Sequence, residues 1–195
     1  KGKTYVVTIS QMPGAKRAAI CDLLDRLPWK YHAVKGGLTI SNEQAYRLVC
    51  GLGNKYTKHV PQWIKDAGPD VISEFIRCAV DGDGWRCRTG EAYATVSARL
   101  ADDMMELYLK AGYAVSSRLV PPKRYDIRGH SAGAERCHEQ YHVHRKTTDR
   151  CQLRDSRNKP NFGPVHYEGM VYCATVPNGT LIVRRNGKVA ICGNC

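Results

Sequence analysis

Residues 75–84 read Phe75-Ile76-Arg77-Cys78-Ala79-Val80-Asp81-Gly82-Asp83-Gly84. Pro69 opens a helix predicted over about 70–80, and its apolar residues run directly into two aspartates set among glycines. A carboxylate at a helix C-terminus faces the negative end of the macrodipole. A divalent cation relieves that conflict. Mg²⁺ takes few carboxylates and keeps its waters, which suits phosphodiester hydrolysis. The same residues also read as a helix followed by a polar turn, and composition alone leaves both open.

Upstream, Thr4–Ser10 is β-branched and aromatic and reads as a strand, broken by Pro13-Gly14. Residues 15–27 place Ile20, Leu23, Leu24 and Leu27 at helical spacing, before Pro28. Strands near 30–34 and at 38–41 flank Gly36-Gly37 as a hairpin, and a helix over 42–50 takes Asn42 as its N-cap. Residues 55–61 read as a loop. Downstream come a strand at 91–98, a helix at 99–111 closed by Gly112, and a strand near 113–119. This is an internal repeat. Thr8-Ile9-Ser10, helix, His32-Ala33-Val34 matches Thr95-Val96-Ser97, helix, Tyr113-Ala114-Val115, at offsets of 87 and 81 residues. The fold class expected is α+β, with two mixed half-domains on antiparallel sheets.

The chain has 195 residues, with 30 Lys plus Arg against 18 Asp plus Glu, a formal charge of +12. Hydrophobic residues at 43% support an ordinary core and exclude disorder for most of the chain. No apolar run approaches the roughly 20 residues of a membrane helix, and no signal peptide opens the chain. A cytoplasmic setting, in a bacterial or phage-infected cell, is the expectation. The charge points to a polyanionic partner, most simply double-stranded DNA. It concentrates in residues 118–159, where eleven Lys or Arg face five Asp or Glu. Arg118, Lys123, Arg124, Arg128, Arg136, Arg145 and Lys146 are the candidate phosphate contacts, against the plainer reading of a solvated surface. The nine cysteines are scattered with no CxxC pair. They read as reduced thiols, mostly buried as small hydrophobes. Cys137, His138, His142, His144 and Cys151 have the residue types of a zinc site but poor tetrahedral spacing. Trp29, Trp63 and Trp85 read as core. Residues 166–191 hold short strands and turns at Asn178-Gly179 and Asn186-Gly187, without a helix.

Residues 76–84 resemble the LAGLIDADG motif of homing endonucleases, and the repeat resembles that family's two half-domains. The resemblance assigns the metal-binding, catalytic acid to Asp83 and Mg²⁺ as its cofactor. Gln11 matches the polar residue at the end of the first strand, near the attacking water. Ala98 occupies the equivalent place in the second half. Cys78 stands where the family's helix-contact glycine would be. Lys58, in Lys58-His59-Val60-Pro61, matches the basic residue common in intein-borne members. The first motif helix and its acid are absent, and the expectation is that they come from another polypeptide or were cut away.

The chain ends in Asn194-Cys195. An Asn amide can attack its own main-chain carbonyl, forming a succinimide and breaking the next peptide bond. A following Cys can first accept an acyl group. With Gly169-Met170-Val171-Tyr172-Cys173-Ala174-Thr175-Val176-Pro177-Asn178 and Val189-Ala190-Ile191-Cys192-Gly193, this end resembles the C-terminal blocks of inteins, the protein-splicing domains of the Hint fold. The resemblance implies that Asn194 cyclises and that Cys195 is the first extein residue and branch nucleophile. Gly193 replaces the usual penultimate His, and Cys173 the usual block aspartate. Together the resemblances imply an endonuclease domain over 1–155, a linker at 156–162, a Hint C-terminal segment over 163–194 and an extein residue at 195. They imply three partners: an N-terminal intein fragment, double-stranded DNA and a flanking extein. The isolated chain is expected neither to splice nor to cut DNA. The other reading is a decayed DNA-binding module.

Overall fold

The computed structural model describes residues 4–88, 90–122, 125–127, 130–132, 137–147, 164–185 and 187–193, with backbone alone at 125–127 and 130–132. The chain divides into two compact units, residues 1–53 and 54–195. Both are α+β with antiparallel sheets.

The first unit runs β1 (Val6–Ser10), α1 (Ala15–Leu24), β2 (Tyr31–Val34), β3 (Gly37–Ser41) and α2 (Glu43–Val49). Its sheet order is β1-β3-β2, all antiparallel. Gly37 is required where β3 meets β1, because a Cβ there would lie 2.1 Å from the Ile9 carbonyl oxygen. Asn42 caps α2 as the sequence predicts, its Oδ1 accepting from Ala45 N at 3.0 Å. Helix α1 is shorter than the apolar spacing suggests, since the Arg26 and Leu27 amides turn back to the carbonyls of Leu23 and Leu24. Leu24, Leu38, Ile40 and Ala45 form the core, with Trp29 packed beside them.

The second unit runs α3 (Gln62–Lys65), α4 (Pro69–Asp83), β4 (Gly84–Cys87), β5 (Gly90–Thr95), α5 (Ala98–Lys110), β6 (Val115–Val120), β7 (Tyr125–Ile127), β8 (His130–Ala132), β9 (Gln140–Arg145), β10 (Thr180–Arg185) and β11 (Lys188–Gly193). The main sheet has the order β4-β5-β9-β6. Ile72, Ile76 and Val80 of α4, spaced by four residues, meet Leu100, Met104, Leu107 and Tyr108 of α5 over Tyr93, Val115 and Val143 of the sheet. Each such buried side chain contributes roughly 1.5–3 kcal/mol. Helix α5 ends in a Schellman turn: Tyr113 N donates to Tyr108 O at 2.9 Å and Gly112 N to Leu109 O at 3.0 Å, with Gly112 at φ 81°.

The internal repeat has a topological counterpart. In both sheets a strand, a helix and two further strands are joined so that the last strand lies between the other two: β1-β3-β2 and β5-β9-β6. The second sheet adds β4 along the edge of β5. Among the described residues β1 has no such neighbour and is an edge strand.

Two expectations need correction. Cys50, Cys78, Cys87, Cys173 and Cys192 are exposed, and Cys21 and Cys137 half-buried, because aliphatic and aromatic residues fill both cores. Trp63 and Trp85 are surface residues, 62% and 39% exposed. Among the described residues no helix is long and apolar enough to cross a membrane.

Candidate functional site

Helix α4 carries its turns past the predicted stop near residue 80 and ends at Asp83. Two contacts hold that extra turn. Asp81 is bonded by Arg77 Nη1 at 2.8 Å and by Arg86 of β4. Gly84 N donates back to Val80 O. Gly84 then lets β4 start against β5: a Cβ would lie 2.4 Å from Ala92 O and 2.8 Å from Val80 Cα. The two aspartates therefore differ. Asp81 is tied into ion pairs, whereas Asp83 is 65% exposed at the helix end.

Lys58 comes to Asp83 from the loop before α3, with Nζ 3.6 Å from Oδ2. The buried Ser97 fixes that loop. Its Oγ donates to Lys58 O at 2.7 Å and accepts from Leu100 N at 3.2 Å, so one hydroxyl caps α5 and holds the lysine backbone. Two residues on, Val60 N donates to Asp103 Oδ2 at 2.8 Å. Asp103 also pairs with Lys65 at 2.5 Å, and Glu106 accepts from Lys65 at 3.1 Å. Burial lowers the affinity of Lys65 for its proton, but these two carboxylates more than offset it and hold the ammonium above its ordinary range. Tyr93 lies beneath the site, its phenol pushed up to about 12 by burial and then by the Asp83 charge.

The structure thus brings Asp83 and Lys58 together. Gln11 follows β1 in the other compact unit, its backbone N–H donating to Gly36 O at 3.1 Å. Among the described residues there is no cluster of three His, Cys, Asp or Glu able to hold a metal. One exposed carboxylate beside a lysine does not by itself fit Mg²⁺. The other face of α4 is open: Cys78 is exposed, and a Cβ at Gly82 would meet nothing within 4 Å.

Of the basic candidates, Arg118 is exposed on β6. Arg145 faces the helix side of the sheet, its guanidinium 3.7 Å over the Tyr113 ring and 3.7 Å from Glu91. Lys146 follows β9, its amide donating to Ala114 O at 2.7 Å. Lys123, Arg124, Arg128 and Arg136 lie outside the described residues. The open face also carries His142 and His144, grouped above as metal-ligand candidates, and the structure sets Trp85 against them. The signal was present in the i, i+2 spacing of Gln140, His142 and His144, which sets all three on one side of a strand.

At the C-terminal end, β10 and β11 form a hairpin in which Gly193 pairs with Thr180. Gly187 docks the hairpin on β6, accepting from Ser117 N at 2.7 Å, and Arg184 donates to Asp102 O of α5 at 2.6 Å. Cys173 is exposed in the irregular stretch before β10. Asn194 and Cys195 lie outside the described residues.

No protein-family model matches the chain. The chain is similar to the DNA-directed RNA polymerase subunit beta C-terminal section of Stigeoclonium helveticum, 27% identical over a match spanning 241 residues. That alignment takes in 97% of this chain and 20% of the relative, so the chain spans about a fifth of its length.

Proposed function

We propose that the chain is the C-terminal part of an intein carrying a LAGLIDADG homing endonuclease domain, active once assembled with an N-terminal partner fragment. The observation that carries this reading is the end of α4. An exposed Asp83 follows a helix whose outer face is open, over a sheet whose strand order recurs in the first unit. A second motif helix fits against Cys78 and Gly82 and would bring a second acid beside Asp83. Mg²⁺ would then be held by the two carboxylates, with Lys58 offsetting charge nearby. The flanking sheet face and Arg118 would lie on DNA phosphates.

Among the described residues the outer edge of β1 is unpaired, which supports the need for a partner, since the equivalent edge of β5 is covered by β4. So do the exposed apolar residues before the hairpin, with Val171 and Tyr172 at 80% and 87%. In the assembled state an acyl group would pass to the Cys195 thiol. The Asn194 side-chain amide nitrogen would then attack its own main-chain carbonyl, closing a succinimide and releasing the Cys195 amine. Gly193 cannot polarise that carbonyl through a side chain, so another group must do so.

The polymerase similarity bears on the host. In this reading the extein is a polymerase β subunit. The competing reading takes the chain as a piece of the polymerase subunit itself, favoured by the 97% coverage of this chain. Intact mass spectrometry separates them. The chain, extended by a few residues past Cys195, is mixed with a candidate N-terminal fragment. A ligated extein plus a chain ending in Asn194 succinimide supports splicing. No mass change, with no nicking of duplex DNA in Mg²⁺, favours the polymerase reading. Duplex binding without cleavage or mass change favours the decayed module.

A further inference from the structure

The open face of the four-stranded sheet holds a cluster that the cleavage and splicing reading leaves without a role. Ala92 and Ala94 of β5 are small, so Trp85 of β4 reaches over them to β9. Its ring centroid lies 5.0 Å from that of His142 and 5.9 Å from that of His144, and the imidazoles are 6.1 Å apart. His142 Nδ1 and His144 Nε2 are buried, with no hydrogen-bond partner among the described residues. Gln140 Oε1 lies 3.4 Å from His142 Nε2.

The charges around the pair are of one sign. On β6, Arg118 stands opposite His142 and Ser116 opposite His144. On β5 the opposing residues are Ala94 and Ala92. On β4, Trp85 is uncharged, and Arg86 is committed to Asp81 and Glu91. Past the end of β9, Lys146 adds a further positive charge. No described carboxylate is among the charges acting on either ring. Burial first, and Arg118 next, hold both imidazoles below the ordinary histidine range. Both effects favour the uncharged ring.

We propose that nucleic-acid binding on this face takes up protons at His142 and His144. The proposal rests on the nucleic-acid reading above and deepens it. Phosphate placed against Arg118 supplies the negative charge that this cluster lacks. It offsets the Arg118 repulsion, the second of the causes that disfavour the charged rings, so each imidazolium is favoured relative to the unbound protein. By linkage, the slope of log affinity against pH equals the number of protons taken up, about two at most.

The test uses the full chain and a fluorescein-labelled random-sequence DNA duplex at constant salt, because phosphate contacts are salt-dependent. Anisotropy titrations run between about pH 7.5 and about pH 5.5, across the histidine range. Binding about tenfold or more tighter at the acid end is expected for the native chain. The double variant His142→Gln, His144→Gln should show a nearly flat profile of affinity against pH. Each single variant should keep part of the slope. Should the double variant not fold, imidazole C–H resonances of the native chain provide the second readout, with both rings titrating at higher pH when the duplex is bound. An unchanged slope in the folded double variant, or imidazole titrations that the duplex does not move, overturns the proposal and leaves DNA binding standing. No binding at either pH overturns the nucleic-acid reading and the proposal with it.

Discussion

Replacing Asp103 by alanine should destabilise the second unit more than any surface change near the candidate site. Lys65 and Asp103 are 15% and 7% exposed, so their ion pair is largely desolvated. Breaking a buried pair costs about 3–5 kcal/mol. Glu106 stays 3.1 Å from Lys65 and softens that loss. Against this, Val60, only 2% exposed, loses the acceptor of its amide, a further cost of about 1–3 kcal/mol. A net loss of about 3–4 kcal/mol is expected, or a fall in Tm of about 10 °C at roughly 2–4 °C per kcal/mol. Urea denaturation followed by circular dichroism measures it, with an unchanged m-value as the check on two-state behaviour. Asp103→Asn keeps an acceptor for Val60 and should lose about half as much. A loss below about 1 kcal/mol for Asp103→Ala would refute the reasoning. It would mean that Asp103 does little to hold the loop carrying Lys58.

Asp83→Asn should change stability by less than about 1 kcal/mol, because an exposed pair at 3.6 Å contributes little; DNA nicking by the assembled protein should nevertheless be lost, and both are read on one preparation. The histidine pair makes the unliganded protein acid-sensitive. Both folded-state pKa values are lowered, so the unfolded chain binds protons first as pH falls through about 6.5, and stability declines from there; Tm against pH should show this decline, reduced in the His142→Gln, His144→Gln variant. Gly187→Ala should detach the hairpin from β6, since a Cβ would lie 2.1 Å from Ser117 O and φ is +70°; hydrogen exchange of the Ser117 amide reports it, with protection expected to fall.

Local order was legible wherever one short stretch carries its own cause. Asn42 supplies a cap for the helix after it, Gly112 supplies the positive φ of a Schellman turn, and the spacing of Ile72, Ile76 and Val80 sets a buried stripe. The repeat was legible because similar sequence folds into similar order, and the two sheets share their strand sequence. Helix α4 does not stop at residue 80, where local rules favour a turn at Asp-Gly-Asp-Gly. Arg86, on the following strand, holds Asp81 from outside the helix and carries the turn on to Asp83.

The sequence by itself therefore determined the α+β elements, the candidate acid Asp83 and the basic character of the chain. Tertiary structure alone decided that Asp81 is neutralised while Asp83 stays open. It also decided that Ser97 and Asp103 anchor the loop bearing Lys58, and that Trp85 meets His142 and His144 across two alanines. The physical reason is the same in each case. Exposure and charge pairing depend on neighbours tens of residues away in the chain, and strand register is what brings those neighbours together.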